Sequence, residues 1–272
     1  MTDPDKGPAG ADATPADSGH PTRANAQVIY ARVREDAEHE LQRPARSLAF
    51  SALFAGFTIG ASPLAMALTT ASIDGGAAKF VAALVYPIGF VAVIVGRAQL
   101  FTENTLYPVV ASLEERRYVG PTARLWAIVF TANLIGGLLF ALLMTKGGAL
   151  PADVGHELTM LGEEAVAGSF GAVFASAVIA GWLLALVAWL VEAAEATIGQ
   201  VLVIWSLTFL LGLGAFDHSV ASAVDVFAAA IEGGVGIGAL LGWLLAATLG
   251  NIVGGVLIVA LLTYAQVTPE VD

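Results

Sequence analysis

The chain has 272 residues, of which 57% are hydrophobic and 13% charged; an ordinary soluble domain is about 25% charged, so a single soluble core cannot hide this much apolar surface. Cysteine is absent, which excludes disulfides, thiolate metal sites and cysteine nucleophiles. The net charge of -11 argues against nucleic acid, because phosphate recognition needs clustered Lys and Arg.

Residues 1–26 are polar and rich in Ala, Pro and Asp, with no apolar stretch behind a basic start. They are expected to form a disordered cytoplasmic tail and no cleavable signal peptide. Across 27–46, Val33, Ala37 and Leu41 recur every four residues among charges. That pattern predicts a short amphipathic cytoplasmic helix lying under a bundle.

A bilayer crossing takes about 20 mainly apolar residues. Six segments qualify: Ser47 to Thr70, Lys79 to Thr102, Arg124 to Thr145, Gly168 to Val191, Thr197 to Phe216, and Ile237 to Tyr264. Their abundant Gly and Ala let backbones approach closely in lipid, and Pro63 and Pro87 are expected to kink their helices. Arg32, Arg34, Arg43 and Arg46 precede the first span, and Arg116, Arg117 and Arg124 follow the second. The positive-inside rule then places both regions in the cytoplasm. The acidic loop with Asp153, Glu157, Glu163 and Glu164 should face out, and six crossings return residues 267–272 to the cytoplasm. All Lys and Arg lie at or before Lys146, so the second half carries acids and no base.

Ala132-Asn133-Leu134-Ile135-Gly136-Gly137 and Gly250-Asn251-Ile252-Val253-Gly254-Gly255 match at a separation of 118 positions. This indicates an internal duplication, with residues 47–146 and 147–266 as two three-helix copies. Three is odd, so the second copy enters the membrane from the opposite face, an inverted arrangement typical of transporters that bind solute near the midplane. At the same separation, the polar stretch Leu100 to Asn104 lies opposite His218 to Ser222. Interrupted hydrophobic helices at matching positions point to the pathway, and irregular backbone at membrane depth is tolerated only inside a bundle. The expected fold is therefore an all-α integral membrane protein with interrupted second and fifth helices.

Three stretches carry a family resemblance. Arg97-Ala98-Gln99-Leu100-Phe101-Thr102 resembles the Gly-Ala-acid-Leu-Phe-Thr stretch of the formate/nitrite transporters, Phe216-Asp217-His218-Ser219 resembles their Phe-Glu-His-Ser, and Gly250 to Gly255 is similar to their last-helix Gly-Asn motif. The likeness runs from about Ser47 to Gln266. It implies an aquaporin-like protomer in an inner-membrane homopentamer, and passage of small monovalent weak-acid anions such as formate, nitrite or hydrosulfide. It also implies a central His218 between two apolar constrictions, with Tyr86, Phe90, Leu100, Leu184 and Leu211 lining them and Thr102 facing His218. Gln99, Arg97 and Gly181 depart from the family's acid, Gly and Asn, and Glu163 and Glu164 stand where a basic residue is common. Gln99 to Thr105 with Gly181-Trp182 resembles a less characterised branch.

The chemistry of such a site follows from two costs. Stripping water from a bare anion costs several kcal/mol or more. Protonating a carboxylate of reference pKa about 4 at neutral pH costs roughly 4 kcal/mol, so passing an apolar constriction as the neutral acid is cheaper. An imidazole is a natural proton donor for that route. The alternative for His218 is a structural ring bonding carbonyls freed by the break. Thr102 and Asn104 either offer hydrogen bonds to solute or cap broken backbone, and Asn133 and Asn251 are expected to tie the copies together. Arg97 either attracts anions or pairs with Glu103, Glu192 or Glu195. Asp217 and Asp225 either tune His218 or are exposed acids. No metal site or cofactor is expected, and an enzyme is disfavoured because no serine sits in a nucleophile motif and the spans hold a single histidine. A neutral-solute channel, and a sensor or scaffold keeping the channel fold without flux, are the competing functions.

Overall fold

The computed structural model describes residues 24–73 and 75–267, so most of the expected N-terminal tail and residues 268–272 lie outside the described residues. Every regular element among the described residues is helical.

Helix α1 (Ala26–Gln42) starts where the Asn25 side chain accepts the Val28 N–H at 2.9 Å. It buries Ile29, Tyr30, Val33, Ala37 and Leu41 on one face, as the four-residue recurrence predicts. Pro44 separates it from α2 (Ala45–Thr58), which runs on into α3 (Ala61–Ser72) as one 28-residue span. The bend between them comes one turn before Pro63. Proline has no N–H to offer the Ile59 carbonyl, which instead accepts from Ser62 at 3.0 Å. Pro87 acts the same way between α4 (Ala78–Val85) and α5 (Pro87–Val95).

Past α5 the chain turns at Arg97, whose φ of 54° is left-handed. It then passes through a 3-10 turn (Glu103–Thr105) into α6 (Tyr107–Glu114). Helix α7 (Val119–Lys146) crosses back. The acidic stretch read as a loop is a helix, α8 (Ala152–Val166), which buries Val154, Leu158 and Gly162. Helix α9 (Phe170–Ala193) follows, with the Ser169 hydroxyl capping its start by accepting the Ala172 N–H at 3.3 Å. Next, α10 (Thr197–Leu213) ends in a second left-handed residue, Ala215 (φ 48°), before α11 (Ala221–Glu232). Helix α12 (Ile237–Val253) continues through a π-helical stretch (Gly254–Ala260) into α13 (Leu261–Val267).

Among the described residues five helical segments are long and apolar enough to cross a membrane, and α10 is a sixth, shorter apolar helix. It is shorter than the expected span to Phe216 because the chain leaves the helix at the left-handed Ala215.

Two long pairs of helices form the frame, α2 with α7 and α9 with α12. Glycine makes both pairings possible: a Cβ on Gly56 would strike the backbone of Asn133, and one on Gly181 would strike the backbone of Asn251. Likewise a Cβ on Gly136 would meet the Leu53 carbonyl, and one on Gly254 the Val178 carbonyl. Helix α1 packs on α6 and α13, with the Tyr30 and Tyr264 rings 6.4 Å apart, so the described ends of the chain meet at one end of the bundle. Helix α8 packs on α3 and α11 at the other end.

Candidate functional site

The site is built on the two stretches where the chain leaves a helix inside the bundle. Backbone groups freed there must find partners within the protein, and they find equivalent ones. In the first stretch the Gln99 N–H donates to Ser51 Oγ at 3.2 Å and the Phe101 N–H to Asn133 Oδ1 at 2.9 Å. The Asn133 amide donates in turn to the Ala52 and Gln99 carbonyls at 2.7 and 2.9 Å. In the second stretch the Asp217 N–H donates to Ser176 Oγ and the Ser219 N–H to Asn251 Oδ1, both at 2.9 Å. The Asn251 amide donates to the Ala177 and Asp217 carbonyls at 2.8 and 3.0 Å. Both asparagines therefore hold broken backbone, but each bonds only within its own half of the chain, so they do not tie the two halves together as expected.

This framework brings Thr102 and His218 together. Thr102 Oγ1 lies 2.8 Å from His218 Nε2, and both residues are fully buried. His218 Nδ1 accepts from the Val220 and Ala221 N–H groups at 3.3 and 2.9 Å. A backbone N–H only donates, so Nδ1 is unprotonated and the neutral ring carries its proton on Nε2, which donates to Thr102. The Phe90 ring stands edge-on to the imidazole, with centroids 5.3 Å apart and planes at 89°. Neither Asp217 nor Asp225 bonds the imidazole, and Asp225 is buried rather than an exposed acid. Asp217 Oδ1 is taken by the Trp243 indole N–H at 2.7 Å.

Cavities open on either side of this pair. The one on the α1 side, about 70 Å³, is lined by Asp36, Glu40, Arg97, Gln99, Leu100, Glu103 and Asn104 among others. The one on the α8 side, about 320 Å³, is lined by Tyr86, Glu164, Leu211, Asp217, Ser222 and Asp225 among others. Thr102, His218, Phe90 and Leu184 line neither cavity and are fully buried. Of the five expected constriction residues, Leu100 walls the first cavity, Tyr86 and Leu211 wall the second, and Phe90 and Leu184 lie in the packed core.

Asn104 is committed to the break, its amide donating to Gln99 Oε1 and the Leu100 carbonyl at 2.9 and 3.0 Å. The Arg97 guanidinium is 65% exposed and lies 3.6 Å from Asp36 and 3.7 Å from Glu192. Glu192 is one of its expected partners. Asp36 joins it, because α1 packs beside the point where the chain leaves α5, and Glu103 lines the same cavity as Arg97. Ser51, Ser176 and Trp243 also serve the site. The serines become visible in sequence only when Ser51 is aligned with Ser176, at a separation of 125 rather than 118 positions, and Trp243 carries no sequence signal. Among the described residues no group of three His, Asp or Glu side chains is placed to hold a metal ion.

The family model described as formate/nitrite transporter matches residues 27–265. The inner membrane protein YfdC of Escherichia coli (strain K12) is 33% identical over 253 residues, covering 92% of this chain and 81% of that protein. Among solved structures, an FNT family ion channel shares the fold with a TM-score of 0.74 at 21% identity, over 90% of this chain and 97% of that one. A pentameric formate channel with formate bound gives a TM-score of 0.70 at 20% identity, over 82% and 97% of the two chains. From the first amphipathic helix to the last apolar one, then, the chain belongs to the formate/nitrite transporter family.

Proposed function

We propose that the chain is a channel for small monovalent weak-acid anions, formate being the probe of choice, and that the solute crosses the buried partition as the neutral acid. The observation that carries this reading is the His218–Thr102 hydrogen bond, which joins the two irregular stretches inside an apolar wall between two cavities. A bare charge cannot cross such a wall without losing its water, whereas a neutral acid needs only a hydrogen-bond partner midway. In this mechanism the solute replaces Thr102 as acceptor of the Nε2 proton. With Nδ1 held by two backbone donors, the part first expected of His218 as proton donor narrows to hydrogen-bond donor, and the solute's proton comes from a cavity. Leu100 on one side, and Tyr86 with Leu211 on the other, act as the constrictions.

In the same reading the protomer is an aquaporin-like inverted repeat of two three-helix copies, with its second and fifth helices interrupted. The pairing of Ser51, Asn133 and Gly56 with Ser176, Asn251 and Gly181 supports it. Residues 27–46 and the C-terminus lie on the cytoplasmic side, and five protomers assemble in the inner membrane. The test is formate flux into liposomes across a pH series, wild type beside His218→Asn. The variant is expected to be slower by at least about tenfold at neutral pH, one lost transition-state hydrogen bond being worth about that much; equal rates would contradict the mechanism. Carboxylates around both cavities favour a second reading, a channel for neutral solutes, since an acidic mouth does not concentrate anions. Liposome swelling with neutral solutes and no formate flux would establish it instead.

A further inference from the structure

The cavity on the α8 side presents carboxylates and no base to a solute that the channel reading takes to be an anion. Glu164, Asp217 and Asp225 line it. Glu164 stands at the mouth on α8, and Asp217 Oδ1 is engaged by Trp243. Asp225 differs from both. It is 8% exposed, it lines the cavity, and its Oδ1 has no hydrogen-bond partner. Nor does it take part in any ion pair among the described residues. The elements packed on it bring no compensating cation. Helix α7 contributes Lys146, which is spent 2.8 Å from Glu232. Helix α8 contributes Asp153, His156, Glu157, Glu163 and Glu164, while α3 and α12 carry no ionisable side chain. Tyr86, at the junction of α4 and α5, lines the same cavity, and Ser222 stands one turn before Asp225 on α11.

We propose that Asp225 is the proton donor that loads the solute in this cavity, before the Tyr86 and Leu211 wall. Two carboxylates brought to one low-dielectric place do not both stay ionised; the pair holds a shared proton. A solute carboxylate therefore occupies the cavity only when Asp225 brings a proton. The Asp225 O–H bond breaks, the proton passes to a solute oxygen, and the neutral acid moves on towards His218. The carboxylate left behind is recharged by hydronium at the cavity mouth, which returns to water as it gives up its proton. An acidic cavity in this way admits weak acids and rejects anions that cannot take a proton, such as chloride, which gives the missing base a purpose.

This rests on the weak-acid reading, and the test separates the two. Formate and chloride fluxes are measured in proteoliposomes, with equal pH on both sides, for wild type, Asp225→Asn and Asp225→Glu. The readout is the ratio of formate flux near pH 7 to that near pH 4, where much of the solute brings its own proton. Asp225→Asn is expected to lower that ratio by about tenfold or more, and Asp225→Glu to restore it to within about threefold. Chloride is expected to stay excluded in wild type. An unchanged ratio in Asp225→Asn, or an equal fall in Asp225→Glu, would overturn the assignment while leaving the channel reading intact. Wild type that carries no weak acid at either pH would instead remove the channel reading. Should Asp225→Asn fail to insert, Asp225→Ser, smaller and equally without a carboxyl proton, decides on the same ratio.

Discussion

Asn133 and Asn251 each meet three backbone groups: an N–H and a carbonyl of an irregular stretch, and one further carbonyl inside a helix, Ala52 in α2 or Ala177 in α9. A buried group left without a partner costs about 1–3 kcal/mol. Asn251→Ala is accordingly expected to destabilise the folded protein in detergent by at least about 2 kcal/mol, read by chemical or thermal unfolding; a loss within experimental error would show that the break is held by other means. Asn133→Ala should cost a similar amount. The left-handed residues supply a prediction of opposite sign. Ala215 has a φ of 48°, a conformation that costs an L-residue about 1–2 kcal/mol and glycine far less. Ala215→Gly is expected to raise the unfolding midpoint, by about 1 kcal/mol in stability, and a lower midpoint would contradict the strain assigned to it.

Helices in this chain are placed by where side chains are missing. Gly181 on α9 sits against the Asn251 backbone, and backbone cannot yield as a side chain can. Gly181→Val should therefore separate α9 from α12 and cost more than about 3 kcal/mol, measured as loss of the monodisperse species on extraction from the membrane. Much at this scale was legible in the residues themselves. Hydropathy located the spans, and the duplicated Asn and Gly-Gly located both irregular stretches, because bilayer length and buried backbone leave few alternatives. Other features were hidden for physical reasons. Helix α8 carries apolar residues at helical spacing, Val154 and Leu158, but its four acids give it the look of a loop. The serines that receive the breaks sit in helices whose separation differs from that of the asparagines. The pairing of Arg97 with Asp36 depends on how α1 docks, which its own periodicity does not specify.

The folded chain as a whole presents a lateral surface that is largely apolar. Phe50, Phe54, Ile198, Leu202, Ile237, Leu241 and Leu245 are exposed along α2, α10 and α12, a surface suited to lipid and to other copies of the chain. Native mass measurement in mild detergent is expected to return five copies, and a stable monomer would contradict the proposed assembly. In the proposed function, two cavities separated by an apolar wall with one hydrogen-bonding pair inside it pass the neutral forms of small acids. The most direct measurement of that claim follows the lumenal pH and the membrane potential together while a formate gradient is imposed on protein-containing liposomes. The proposed mechanism predicts faster acidification than in protein-free liposomes, one proton per formate, and no potential. Formate influx that builds a potential without acidifying the lumen would contradict it.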